Sequence, residues 1–131
     1  MEKVEQKYTN RSVTHPVTQD PGITDQHGRS FNYLRIAVNE KCNLRCIYCM
    51  PEKGISFEPQ DKLLTRKEVI RVIQVVAKLG VNKIRFTGGE PLLRKDLVEL
   101  VSGAAETPGI DSINLTTNGI LLANSAKSLK D

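Results

Sequence analysis

Three short stretches alternate apolar and polar residues, and a helix-patterned stretch follows each of them; few folds accommodate that order. Residues 33–38 set Leu34, Ile36 and Val38 against Arg35 and Ala37, residues 83–87 read Lys-Ile-Arg-Phe-Thr, and residues 112–116 read Ser-Ile-Asn-Leu-Thr. The first helix opens at Thr65-Arg66-Lys67-Glu68, a capping box in which the Thr hydroxyl and the Glu carboxylate each accept from an otherwise unpaired backbone N–H. Its stripe of Val69, Val72, Ile73, Val76 and Leu79 repeats at helical spacing, and Gly80 stands where a left-handed C-terminal cap is wanted. Leu97, Leu100, Val101 and Ala104 mark a second helix that Thr107-Pro108-Gly109 stops, and a third begins at Leu121. Such alternation predicts right-handed crossovers and a parallel sheet, hence an α/β fold with three βα units.

Strands buried on both faces of a parallel sheet usually read as unbroken apolar runs. These three do not: one sheet face is apolar, while the other carries Arg35, Arg85, Asn114 and Thr116. If helices cover the apolar face, the polar one lines the concave side of a curved sheet, as in a partial parallel βα barrel whose lumen holds ligand. Arg35 and Arg85 then point into one cavity, where two guanidiniums repel unless an anion such as phosphate or carboxylate lies between them. The competing reading pairs each arginine with a local carboxylate or leaves it exposed at an edge.

Ligands collect at the C-terminal ends of parallel strands, and the loops expected there hold the unusual residues. The first contains all three cysteines, Cys42, Cys46 and Cys49. A disulfide would leave one thiol over, and nothing marks the chain as secreted. Structural zinc takes four protein ligands, and the two histidines, His15 and His27, lie upstream. An iron–sulfur cube on three thiolates leaves one iron open to a small molecule, and count and spacing favour it; zinc and an inert or redox thiol group are the alternatives. The second loop is Gly88-Gly89-Glu90-Pro91, whose glycines let a backbone approach a ligand closely and whose Glu90 offers an acceptor for an ammonium group. The third, Thr117-Asn118-Gly119, reads by itself as a turn.

At 131 residues the chain has the size of one domain. Residues 1–30 are polar, punctuated by Pro16, Pro21, Gly22 and Gly28, and are expected to form an N-terminal arm; residues 31–131 are expected to form the first half of the barrel. The net charge of +4 arises from interspersed Lys, Arg, Asp and Glu, which argues against a nucleic-acid surface. There is no run of 18 apolar residues and no apolar N-terminal segment, so neither a membrane span nor a signal peptide is expected, and a cytoplasmic setting is.

The three-then-two spacing of the cysteines resembles that of the radical S-adenosylmethionine (SAM) enzymes. More narrowly, three runs resemble the GTP 3′,8-cyclase family of molybdenum-cofactor biosynthesis (the MoaA family), over about residues 23–122. They are Tyr33-Leu34-Arg35-Ile36 before the cysteine run to Met50-Pro51, then Lys83-Ile84-Arg85-Phe86-Thr87-Gly88-Gly89-Glu90-Pro91-Leu92, then Leu115-Thr116-Thr117-Asn118-Gly119. The cysteines and Gly-Gly-Glu-Pro mark the wider superfamily; Cys-Met-Pro and the two strand arginines mark the cyclase. The resemblance implies a radical SAM partial barrel and a [4Fe-4S] cluster on Cys42, Cys46 and Cys49 whose free iron chelates SAM. It implies SAM contacts from Tyr48 and the Gly88, Gly89, Glu90 loop, and GTP contacts from Arg35, Arg85 and Thr116. A 5′-deoxyadenosyl radical would take hydrogen from C3′ of GTP, and the ribose radical would close onto C8, giving 3′,8-cyclo-dihydro-GTP. An electron donor is then a further partner, and a homo-oligomer is allowed.

His27, within Thr24-Asp25-Gln26-His27-Gly28-Arg29, stands where the family usually has an aromatic residue and is read as structural. The family's later strands and second cysteine group have no counterpart here. The chain is therefore expected to be an N-terminal portion, able to hold the first cluster and unable to cyclise GTP by itself. Another radical SAM enzyme, for instance a peptide-modifying one, and a noncatalytic metal-binding fragment are the alternatives.

Overall fold

The computed structural model describes residues 22–49, 51, 53–57, 59 and 62–130. Expectations for residues 1–21, His15 among them, and for Met50 lie outside the described residues. The described chain opens on a hairpin of two-residue strands, β1 (Ile23–Thr24) and β2 (Ser30–Phe31), antiparallel with Ile23 opposite Phe31. The hairpin falls at the end of the stretch expected to form an N-terminal arm, where the sequence shows no strand period. Strands this short show no period, so the hairpin is set by its turn. Asp25 Oδ1 accepts from the backbone N–H groups of His27 and Arg29, and Oδ2 accepts from Arg29 Nε at 2.6 Å. The Arg29 N–H, above all, holds the Asp25 carboxyl below the usual aspartate range.

The main sheet follows, with β3 (Tyr33–Ala37), β4 (Lys83–Thr87) and β5 (Ser112–Leu115) paired in that order, all parallel. Each strand is followed by a helix: α1 (Arg66–Lys78), α2 (Leu97–Ala105) and α3 (Leu122–Lys130). The third strand is one residue shorter than expected, yet the Thr116 N–H still donates to the Phe86 carbonyl at 3.0 Å. Alternation sends Ile84 and Phe86 into the core, where both are fully buried against Val69 and Ile73 of α1 and Leu97, Leu100 and Ala104 of α2. Leu34, Ile36, Ile113 and Leu115 pack around them from the neighbouring strands.

The capping box of α1 is formed: the Glu68 N–H donates to Thr65 Oγ1 at 3.4 Å and the Thr65 N–H donates to Glu68 Oε2 at 2.7 Å. Where α1 and α2 meet, a Cβ added at Gly103 would lie 2.6 Å from Ile70 Cδ1, so a larger residue there would have to displace the tip of the Ile70 side chain. Between β4 and α2 the chain makes one 3₁₀ turn, Pro91–Leu93. Arg94 then ties three segments together, donating to the Asp96 carboxylate, to the Val38 carbonyl at 2.9 Å and to the Leu64 carbonyl at 3.1 Å. Among the described residues no helix is long and apolar enough to cross a membrane.

Candidate functional site

The pairing of β3 with β4 continues past the last strand residue into the loops. The Val38 N–H donates to the Thr87 carbonyl at 2.9 Å, the Gly89 N–H to Asn39 at 3.0 Å and the Glu90 N–H to Lys41 at 2.8 Å, while Asn39 Nδ2 returns a bond to the Glu90 carbonyl. The cysteine loop therefore leaves from a hydrogen-bonded ledge. A Cβ added at Gly88, where φ is +133°, would overlap the Asn39 carbonyl oxygen, and one at Gly89 would overlap those of Glu40 and Lys41. Both positions require glycine because protein backbone fills the space. The sequence reading gave that space to a ligand; the close approach is to the cysteine loop itself.

Glu90 also differs from expectation. Rather than an open acceptor for an ammonium group, it is a buried carboxylate, 1% exposed. Its Oε1 accepts from the Leu92 N–H at 3.0 Å and from Thr117 Oγ1 at 2.7 Å, and its Oε2 accepts from the Asn118 N–H at 2.8 Å. A carboxylate taken out of water needs such donors, and the nearest supply is the loop after β5. Asn118 in turn donates its side-chain amide to Asn43 Oδ1 at 2.8 Å. The three loops assigned to one rim are thus joined by hydrogen bonds. Thr117-Asn118-Gly119 is a turn, with Gly119 at φ +81°, and it is also the strut between the other two loops.

Within the cysteine loop the bonds are local: the Leu44 N–H donates to Cys42 Sγ at 3.5 Å and the Cys49 N–H to the Cys46 carbonyl at 3.0 Å. Cys42 and Cys46 are half-buried, Cys49 is exposed, and none is in a disulfide. Tyr48 lies beside all three, and the negative charge of Cys46, more than that of Cys49 or Cys42, pushes its phenol above the usual range. Among the described residues no three Cys, His, Asp or Glu side chains stand close enough to share one metal ion. Zinc ligands converge on one point, whereas thiolates on a cube bind separate irons. Three thiols with no fourth ligand on the loop fit a cluster with an open iron.

On the polar sheet face Arg35, Arg85 and Asn114 lie level across the three strands. Arg85 donates from Nε to the Tyr33 hydroxyl and from Nη1 to Thr116 Oγ1 at 3.3 Å, and its guanidinium stands 6.0 Å from the Tyr33 ring centroid. Among the described residues neither arginine has a carboxylate partner, and Arg35 is exposed on the edge strand β3, as the competing reading allows. Tyr33 was not singled out as a site residue, although it shares the strand parity of Arg35.

Residues 36–131 match the family described as the Radical SAM superfamily. The chain belongs to it. The superfamily's cofactors are a [4Fe-4S] cluster and SAM, and the three-thiol loop has the donor set for the first. Among curated relatives, the GTP 3′,8-cyclase of Pelotomaculum thermopropionicum is 53% identical over 109 residues, 83% of this chain and 34% of that protein. The GTP 3′,8-cyclase of Listeria monocytogenes serotype 4b is 48% identical over 109 residues, 83% of this chain and 33% of that protein. Molybdenum cofactor biosynthesis protein moc-5 of Caenorhabditis elegans is 45% identical over 121 residues, 92% of this chain and 20% of its own length. The chain spans about a third of the length of the cyclases it matches. Of solved structures, the chain is similar to BtrN in complex with AdoMet and 2-DOIA, at a TM-score of 0.57 and 26% identity, covering 78% of this chain and 42% of that one. The open conformation of BtrN gives a TM-score of 0.56 at 27% identity, covering 78% and 46%.

Proposed function

We propose that this chain is the cluster- and SAM-binding portion of a GTP 3′,8-cyclase acting in molybdenum-cofactor biosynthesis, built as part of a radical SAM partial barrel. The observation that carries the substrate is the level placement of Arg35 and Arg85 on one polar face, with Thr116 bonded to Arg85 and no carboxylate partner for either arginine among the described residues. Two adjacent guanidiniums without counter-charge suit an anionic ligand such as the phosphates of GTP. Cys42, Cys46 and Cys49 hold the cluster; Tyr48, beside the thiols, and the backbone at Gly88 and Gly89 border SAM. When bound, cluster and SAM supply the radical that removes hydrogen from the substrate ribose. Arg85 is kept in place by Tyr33 and Thr116, so its orientation exists before GTP arrives. The reaction calls for an electron donor and reduced thiols, which agrees with the cytoplasm, and for neither nucleic acid nor membrane.

The test replaces the matched 109-residue segment of the full-length Listeria cyclase with that of this chain. After anaerobic reconstitution with iron and sulfide, the hybrid is given reductant, SAM and GTP, and products are assayed by mass spectrometry. The expected result is 5′-deoxyadenosine together with the cyclic nucleotide, with the latter lost in Arg35→Ala and Arg85→Ala. A hybrid that cleaves SAM yet never converts GTP would move this chain to another radical SAM reaction.

A further inference from the structure

We propose that Glu90 is a positioning residue of the cofactor site, its buried carboxylate clamping the loop after β5 onto the cysteine loop through Thr117 and Asn118. The inference rests on the cluster- and SAM-binding reading above and adds a role that the loop's backbone does not supply. Glu90 reaches the cysteine loop along two routes. Its main chain bonds Asn39 and Lys41, on the near side of Cys42. Its side chain holds the Asn118 N–H, and the Asn118 amide holds Asn43, on the far side of Cys42. Cys42 is therefore bracketed by Lys41 and Asn43, both tied to Glu90, the second through Asn118, whereas the bond between Cys49 and Cys46 stays within their own loop. A carboxylate suits this task better than an amide. Both of its oxygens accept, and its three donors arrive from two loops, Leu92 from one and Thr117 and Asn118 from the other. In Glu90→Gln one oxygen becomes an NH₂ facing a donor, and a strut is lost with little change of volume.

The test uses Glu90→Gln, Asn118→Ala, Asn43→Ala and the double variant of the two asparagines. In the metal-free protein, backbone hydrogen exchange at residues 42–44 is expected to quicken roughly tenfold in Glu90→Gln, the loss of a charge-assisted bond, and roughly threefold in each single asparagine variant, the loss of one exposed amide bond. In the reconstituted protein, iron content is expected to stay near the wild-type level while SAM affinity falls roughly tenfold, and the reduced cluster's electron paramagnetic resonance signal with SAM moves toward that without it. The double asparagine variant should be no worse than either single, since both break the same link. Thr117→Ser, which keeps the hydroxyl, should behave as wild type. Wild-type exchange and SAM affinity in Glu90→Gln, or additive effects of the two asparagines, would overturn the proposal. If Glu90→Gln does not fold, Asn118→Ala, at an exposed residue, decides the matter by the same readouts. A wild-type protein that takes up no cluster would count against the proposed function, and the exchange measurement on metal-free protein would still judge the clamp.

Discussion

The loop after β4 and the cysteine loop lie against each other and are built in opposite ways. In the first, Glu90 is 1% exposed, Pro91 is fully buried, and every polar group of Glu90 is bonded to another segment. In the second, Ile47 is 99% and Tyr48 91% exposed, and the bonds described from Leu44 to Cys49 stay within the loop. The comparison teaches how a small sheet can carry a reactive site. Core packing and paired backbone fix a ledge in the metal-free protein, and the thiol loop hangs from it, to be completed when metal binding adds its own free energy of folding.

Substitutions in the two regions should therefore separate stability from cluster uptake. The largest expected effect is in the core beneath the ledge: Phe86→Ala should cost the metal-free protein about 3–5 kcal/mol in urea unfolding, since the ring is fully buried. A loss under about 1 kcal/mol would mean that the ledge does not rest on this core. Next comes Gly89→Val, whose side chain would overlap the Glu40 and Lys41 carbonyls; a loss of about 2 kcal/mol or more is expected together with poor iron uptake, because the cysteine loop must shift. Normal iron content in that variant, with weakened SAM alone, would restore the idea that the glycine makes room only for ligand.

Thr65→Ala removes the α1 cap, whose hydroxyl bonds Glu68, and should cost about 1 kcal/mol with unchanged iron content, which calibrates a stability loss outside the cysteine loop. The smallest stability effect belongs to the thiol loop. Cys49→Ala, at an exposed position, should alter metal-free stability by about 0.5 kcal/mol or less while abolishing cluster assembly, read as iron and acid-labile sulfide per chain. Cys42→Ala and Cys46→Ala should also lose the cluster. Full iron content in any of the three would break the ligand assignment and with it the contrast between the regions.

The order of strands and helices, the Thr65 cap, the polar face with Arg35, Arg85 and Asn114, and the thiol triplet could all be read from the chain, because each is written in neighbouring residues through a period, a cap or a spacing. The β1–β2 hairpin escaped because its strands are two residues long and its stabilising group is the single carboxylate of Asp25. Other features were decided only by the fold. Asn39 meets Glu90 across 51 residues and Asn43 meets Asn118 across 75, and no local pattern encodes either contact. The glycine pair signals close approach in the sequence, but what approaches is set by the register of β3 on β4, which carries the Lys41 and Glu40 carbonyls into the space a side chain would occupy. Glu90 reads as a surface acceptor until β5 brings Thr117 and Asn118 alongside; the donors then turn it inward, because a carboxylate at that depth is stable only when its oxygens are bonded.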